Sequence, residues 1–195
     1  IARQELIVCG QPLIPYIMAE VSKSLSYKEM VPDGARVFDE AVIGKLTGKL
    51  ADILVVERTL LNFMQRLSGI ATNTAKFARE VYPLEVKILD TRKTTPGWRI
   101  LEKYAVSVGG GFNHRFGLYD AVLIKNNHLD AVKGRSVAEA VRIAREKYPN
   151  LKIQVEVRNF DELSSAIQGG PDSILLDNMS VEDVTRAIHT IRTSA

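Results

Sequence analysis

Four short apolar runs, each ending in charged or hydrogen-bonding side chains, constrain this chain more than any other feature. Residues 86–89 precede Asp90-Thr91-Arg92-Lys93, and residues 121–124 precede Lys125-Asn126-Asn127-His128. Residues 153–155 precede Glu156-Val157-Arg158, and residues 174–176 precede Asp177-Asn178. Apolar runs of this length between helical patterns read as buried parallel strands. In open α/β sheets and α/β barrels, ligands meet the carboxyl ends of the strands. The polar residues after the runs are therefore expected to converge on one pocket. They bring a cationic cluster and two isolated carboxylates, Glu156 and Asp177. That mixture suits an anionic substrate together with a metal ion or a sugar.

From residue 57 onward, strand-like and helix-like segments alternate, which argues for a parallel sheet or barrel. Leu60, Met64, Leu67, Ala71, Ala75 and Ala78 recur at helical spacing, with an interruption at Ser68-Gly69 and a stop at Pro83. Ser136 and Glu139 form a capping-box pattern for a helix that Tyr148-Pro149 closes. A short helix over 160–168 ends at Gly169-Gly170, and Ser180 caps a last helix with Val181, Val184, Ile188 and Ile191 on its apolar face. Residues 5–10 look like a strand ending at a glycine, and Pro32-Asp33-Gly34 is a turn signal. Residues 41–44 and 50–56 are apolar but poorly periodic. Residues 1–56 are thus expected to form a small α/β layer, and residues 57–195 the larger parallel-sheet domain.

With 46% apolar residues, the chain can bury a real core. Its net charge of +3 is too small to argue for nucleic-acid binding. Cys9 stands alone, so no internal disulfide forms and an oxidising compartment is not required. No signal peptide is visible, and no apolar stretch approaches the ~18 residues of a membrane span. The expectation is a cytoplasmic protein. The chain begins at Ile1 rather than Met and ends just after a helix, while a full eight-unit barrel needs ~250 residues. Further residues are expected on both sides.

The segment 90–99 places Arg92 and Lys93 at a strand end before a Pro96-Gly97 turn. Arginine grips carboxylate or phosphate through a planar fork, and lysine adds a compact charge. Residues 109–116 read GGGFNHRF, giving glycines that permit a close approach or a sharp turn, then a second cationic pair, His114-Arg115. The spacing is not that of a dinucleotide loop. Lys125 reads as a snorkelling strand-end residue, a pocket cation or a Schiff-base lysine. Glu156 and Asp177 read as ligands of Mg2+ or sugar hydroxyls, or as counter-charge to the cations. Arg58, placed in the first turn of the helix expected to open at Glu57, is disfavoured by the helix dipole and hints at an anion. No zinc-ligand spacing or nucleophile elbow occurs.

Taken together, ERTLLNFMQRLSGIATNTAKF (57–77), ILDTRKTTPGWRILEKYAVSVGGGFNHRFGLYDAVLIKNNH (88–128), VEV (155–157) and ILLDNM (174–179) resemble the quinolinate phosphoribosyltransferase family over nearly the whole chain. The resemblance implies a small N-terminal α/β sandwich domain followed by an open parallel α/β barrel, incomplete at both ends. It implies the joining of quinolinate to phosphoribosyl pyrophosphate, with release of pyrophosphate and CO2, to give nicotinate mononucleotide for NAD synthesis. It assigns substrate binding to Arg58, Thr91, Arg92, Lys93, His114, Arg115, Lys125, Glu156 and Asp177. Lys93, Lys125, Glu156 and Asp177 would be catalytic, with Mg2+ near Glu156 and Asp177. A homodimer or higher homo-oligomer is implied, with Arg58 matching an arginine that reaches a neighbouring subunit's site. Asn126 stands where the family usually has an acid. The family's glycine-rich phosphate segments would lie beyond residue 195. The competing readings are a nicotinate phosphoribosyltransferase-like enzyme, whose pocket needs fewer cations, and a non-catalytic dimerising fragment.

Overall fold

The computed structural model describes residues 1–132 and 134–194, which separate into two compact units, 1–116 and 117–195. In the first unit, β1 (Leu6–Ile7) pairs antiparallel with β3 (Arg36–Val37), and β2 (Ser26–Glu29) pairs antiparallel with β4 (Gly44–Thr47). A short 3-10 turn and α1 (Ile14–Ala19) lie between β1 and β2. The helix α2 (Leu50–Glu80) is the spine of the unit, and α3 (Arg99–Val108) packs against it.

Helix α2 begins seven residues earlier than the expected start at Glu57. Ile53 and Val56 pack with Leu60, Ile14 and Leu25, so the buried stripe extends upstream at helical spacing. Ser68-Gly69 does not interrupt the helix. Ser68 is buried, accepting the Cys9 N–H at 3.0 Å and donating to the Cys9 carbonyl at 3.2 Å. Its hydroxyl thus satisfies main chain that the helix covers.

Residues 86–89 do not form a full strand. Leu89 makes one parallel bridge to Phe112, with Phe112 N–H on the Ile88 carbonyl and Asp90 N–H on the Phe112 carbonyl. Val86 and Leu89 stay exposed, so no sheet neighbour extends the ladder there. The glycine run that follows serves packing and turning. A side chain at Gly109 would collide with the Ala71 carbonyl of α2, and Gly110 turns at φ +85°.

The second unit holds a three-stranded parallel sheet in the order β5 (Ala121–Ile124), β6 (Lys152–Val157), β7 (Ser173–Leu176). Helices α4 (Asn126–Ala131), α5 (Val137–Lys147), α6 (Phe160–Gly169) and α7 (Val181–Ser194) follow and separate the strands. The helix signals read from sequence are met. Ser136 accepts from the Glu139 N–H at 3.2 Å, Ser180 accepts from the Asp183 N–H at 3.1 Å, and Gly170 ends α6 in the left-handed region at φ 66°. Ile153, Val155, Val157, Leu163 and Val141 are fully buried in one core between the sheet and α5, α6 and α7. No helix among the described residues is long and apolar enough to cross a membrane.

Candidate functional site

The first unit carries its cations on two loops. Loop 90–95 presents Thr91, Arg92 and Lys93, and loop 113–116 presents His114 and Arg115. The Lys93 N–H donates to Thr91 Oγ1 at 3.0 Å, which closes a local turn. Arg92 is half-buried, and its Nη1 is fully buried with no hydrogen-bond partner among the described residues. An unmatched guanidinium nitrogen costs free energy until an acceptor arrives. His114 and Arg115 are also half-buried, and Lys93 is exposed.

Side chains from α2 and α3 hold these loops. Arg66 donates to Thr95 Oγ1 and to Glu102 Oε1 at 2.8 and 2.7 Å, and Glu102 Oε2 accepts the Thr95 N–H at 3.2 Å. Partial burial pulls the Glu102 carboxyl upward, but the bonds from Arg66 and Thr95 outweigh it and hold the group below its ordinary range. Trp98 stacks on Phe63 of α2 with ring centroids 4.8 Å apart, which seats the end of the loop.

Beneath the loops lies a buried ion pair that no sequence pattern announces. Lys103 Nζ donates to Asp90 Oδ1 at 2.5 Å, and their side chains are 3% and 7% exposed. The same Oδ1 accepts the His114 N–H at 2.8 Å. Asn113, with its amide turned to suit both neighbours, donates to Asp90 Oδ2 at 2.7 Å and to the Lys103 carbonyl at 2.9 Å. The position of Asp90 directly after an apolar run is its one sequence signal, and Lys103 has none.

In the second unit, strand register assembles the site. Ile124 pairs with Val155, so Lys125 and Glu156 stand side by side at the next level. Their ion pair is 3.7 Å long, with Glu156 buried and Lys125 side chain 41% exposed. Glu156 pairs with Leu175, and Asp177 lies two residues beyond Leu175, on the same side by strand alternation. The Asp177 N–H still bonds to the Val157 carbonyl at 2.9 Å, so the ladder runs one residue past β7. Lys125 is further fixed by its own N–H, which His128 Nδ1 accepts at 3.1 Å. Arg158, by contrast, does not join this group and is engaged with Glu162 at 2.6 Å.

Arg58 lies nine residues into α2 rather than in its first turn, so the dipole argument for an anion there lapses. It is exposed, on a stretch that also leaves Leu50, Leu54 and Leu61 exposed. Glu156 and Asp177 are hard oxygen donors on neighbouring strands, a set that fits Mg2+, which keeps several waters and takes one or two carboxylates beside substrate phosphates. A cavity of about 830 Å³ in the first unit is lined by Ile14, Leu60, Met64 and Thr72 among others. None of Arg92, Lys93, His114 or Arg115 lines it, so it is separate from the cationic loops.

A family model described as the N-terminal domain of quinolinate phosphoribosyl transferase matches residues 1–68, and its C-terminal counterpart matches residues 70–195. A Bacillus subtilis relative described as a probable nicotinate-nucleotide pyrophosphorylase (carboxylating) is 43% identical over 188 residues, covering 94% of this chain and 63% of the relative. A Synechocystis relative of the same description is 37% identical over 193 residues, covering 98% of this chain and 65% of the relative. The chain thus spans slightly less than two thirds of the length of these curated relatives. The solved nicotinate-nucleotide pyrophosphorylase from Francisella tularensis superposes with a TM-score of 0.94 at 43% identity, covering 99% of this chain and 68% of that one. NadC from Streptococcus pyogenes gives 0.92 at 37% identity over the same shares.

Proposed function

The chain belongs to the quinolinate phosphoribosyl transferase family, and from that premise we propose that it transfers the phosphoribosyl group of phosphoribosyl pyrophosphate to quinolinate. Pyrophosphate and CO2 leave, and nicotinate mononucleotide is the product. The observation that carries this reading is the pair of cationic loops, in which Arg92 keeps a buried nitrogen without an acceptor among the described residues.

The chemistry follows from charge. Quinolinate has two carboxylates, and its partner has a phosphate and a pyrophosphate. Arg92, Lys93, His114 and Arg115 offset the carboxylates, and the fork of an arginine fixes the plane of the ring. Departure of pyrophosphate leaves an oxocarbenium-like ribosyl centre. Glu156 and Asp177 stabilise that developing charge, and the ion pair with Lys125 orients Glu156. Mg2+, when bound, would neutralise the leaving pyrophosphate, with Glu156 and Asp177 as its protein ligands. After ribosylation, the positive pyridinium nitrogen stabilises the ring carbanion left as the adjacent carboxylate departs as CO2, and that carbon then takes a proton from water. No protein nucleophile takes part.

The proposal extends to a homodimer in which the exposed Arg58 serves a neighbouring subunit's site, and to a cytoplasmic location. The exposed apolar side chains around Arg58 support the first of these. Incubation with quinolinate, phosphoribosyl pyrophosphate and Mg2+, followed by chromatography of the nucleotide, tests the reaction. We expect nicotinate mononucleotide with one CO2 per product. Product from nicotinate in preference to quinolinate would favour the nicotinate-specific reading, and failure of the chain to bind either acceptor would contradict transfer.

A further inference from the structure

Helix α3 carries two cations one turn apart, Arg99 and Lys103, and neither was among the residues assigned to substrate. Between them they direct their donors at three main-chain carbonyls, one threonine hydroxyl and one buried carboxylate. Arg99 Nη2 reaches the Arg92 carbonyl at 3.3 Å, Nη1 the Phe116 carbonyl at 3.2 Å, and Nε the Thr94 hydroxyl at 3.2 Å. Lys103 reaches Asp90 Oδ1 at 2.5 Å and the His114 carbonyl at 2.9 Å. Each cation therefore joins loop 90–95 to loop 113–116.

We infer that Arg99 and Lys103 are positioning residues that hold the two cationic loops at the spacing a pyridine dicarboxylate requires. The inference rests on the substrate reading above and adds residues that set its geometry. Two separate loops bearing Arg92, Lys93, His114 and Arg115 have main-chain freedom to lose before they can grip one ligand together. A clamp on their main chains removes that freedom in advance, so less ordering is left to the substrate. The donor types suit the task. An arginine fork spans two carbonyls at once. Lys103 is 2% exposed, and Asp90 matches its charge, so this arm of the clamp adds no net positive charge beneath a site already rich in it. Asp90 also takes the His114 N–H, so that residue is held through both its N–H and its carbonyl.

The test compares Lys103→Met, Asp90→Asn with Lys103→Met, and Arg99→Lys against the unaltered chain. Quinolinate affinity by calorimetry, thermal midpoint and amide exchange over 90–95 and 113–116 are read for each. We expect Lys103→Met to lower the midpoint, to weaken quinolinate binding about 10- to 100-fold and to speed exchange in both loops. In the double variant the stranded Asp90 charge is gone, so the midpoint recovers. The His114 carbonyl still lacks its donor, so affinity stays at least about 10-fold down. Recovery of affinity together with the midpoint would show a purely structural pair and overturn the inference. Should Lys103→Met fail to fold, Arg99→Lys decides. It keeps the charge but loses the fork, and we expect at least about 5-fold weaker binding with a midpoint within about 3 °C of the unaltered chain. Unchanged affinity there overturns the inference. If the unaltered chain binds no quinolinate, the substrate reading fails, and slower exchange of both loops with the clamp intact than with it cut still decides whether the clamp exists.

Discussion

The two units place their functional side chains by different means. In the second, the ladder does the placing: once Ile124 pairs with Val155 and Val157 with Leu176, the positions of Lys125, Glu156 and Asp177 follow. In the first, Leu89 and Phe112 make only an isolated bridge, and the cations sit on loops that side chains from α2 and α3 must hold. Register positions a residue through many weak, repeated main-chain bonds. A clamp positions it through a few bonds that single substitutions can cut. The two kinds of placement should therefore fail differently, by loss of core in the second unit and by loss of individual polar partners in the first.

The largest effect we expect is from Ile153→Ala, since Ile153 is fully buried at the centre of the second unit's core. The loss should be about 3 kcal/mol, within the usual range for an isoleucine truncated in a core. Denaturant titration measures it, and a loss below about 1 kcal/mol would show that the sheet does not depend on its core as described.

Next is Ser68→Ala in the first unit, which strands the buried Cys9 N–H. We expect about 2 kcal/mol, the cost of an unsatisfied buried donor. Cys9 itself provides the readout. Burial, and then the Asp33 carboxylate, push its thiol up to about 12, so at pH 8 it should label slowly until this unit opens. Labelling in Ser68→Ala should be faster, and an unchanged rate would mean that the polar contact is dispensable.

The smallest effect is at Asp172 of the second unit. Its carboxyl is held low by the Ile153 N–H and then by Arg145. A depressed carboxyl stabilises the fold above its unfolded pKa of ~3.9, and that contribution fades as pH falls through the lower folded value. Asp172→Asn should therefore cost less than about 1 kcal/mol at pH 7, given its exposure, and progressively less as the pH falls below the unfolded value. A loss that stays constant as the pH is lowered would point to lost packing instead of charge.

The same contrast explains what could be read from sequence. Apolar runs followed by Lys125, Glu156 and Asp177 were legible because a buried parallel strand announces itself by composition, although β6 runs on through Glu156 to Val157. The caps at Ser136 and Ser180 were legible because one residue and its third neighbour suffice. The start of α2 was not, because residues 50–56 are so evenly apolar that the helical period of Ile53 and Val56 is masked. The GGG run reads as a close approach or a sharp turn without saying of what: Gly109 allows the chain to approach the Ala71 carbonyl, and Gly110 supplies the turn. Lys103 and Asp90 were illegible as partners. They are thirteen residues apart in no repeating pattern, and a lysine on a helix ordinarily faces solvent.

Calorimetric titration of quinolinate into the unaltered chain, Arg92→Ala and Arg92→Lys tests the central claim most directly. If the first unit's loops form the dicarboxylate site, Arg92→Ala should weaken binding by about 1.5–3 kcal/mol, the scale of a lost hydrogen bond to a charged group. Arg92→Lys should recover only part of that, since the charge returns without the fork. Equal affinity in all three would contradict the assignment of the cationic loops to quinolinate.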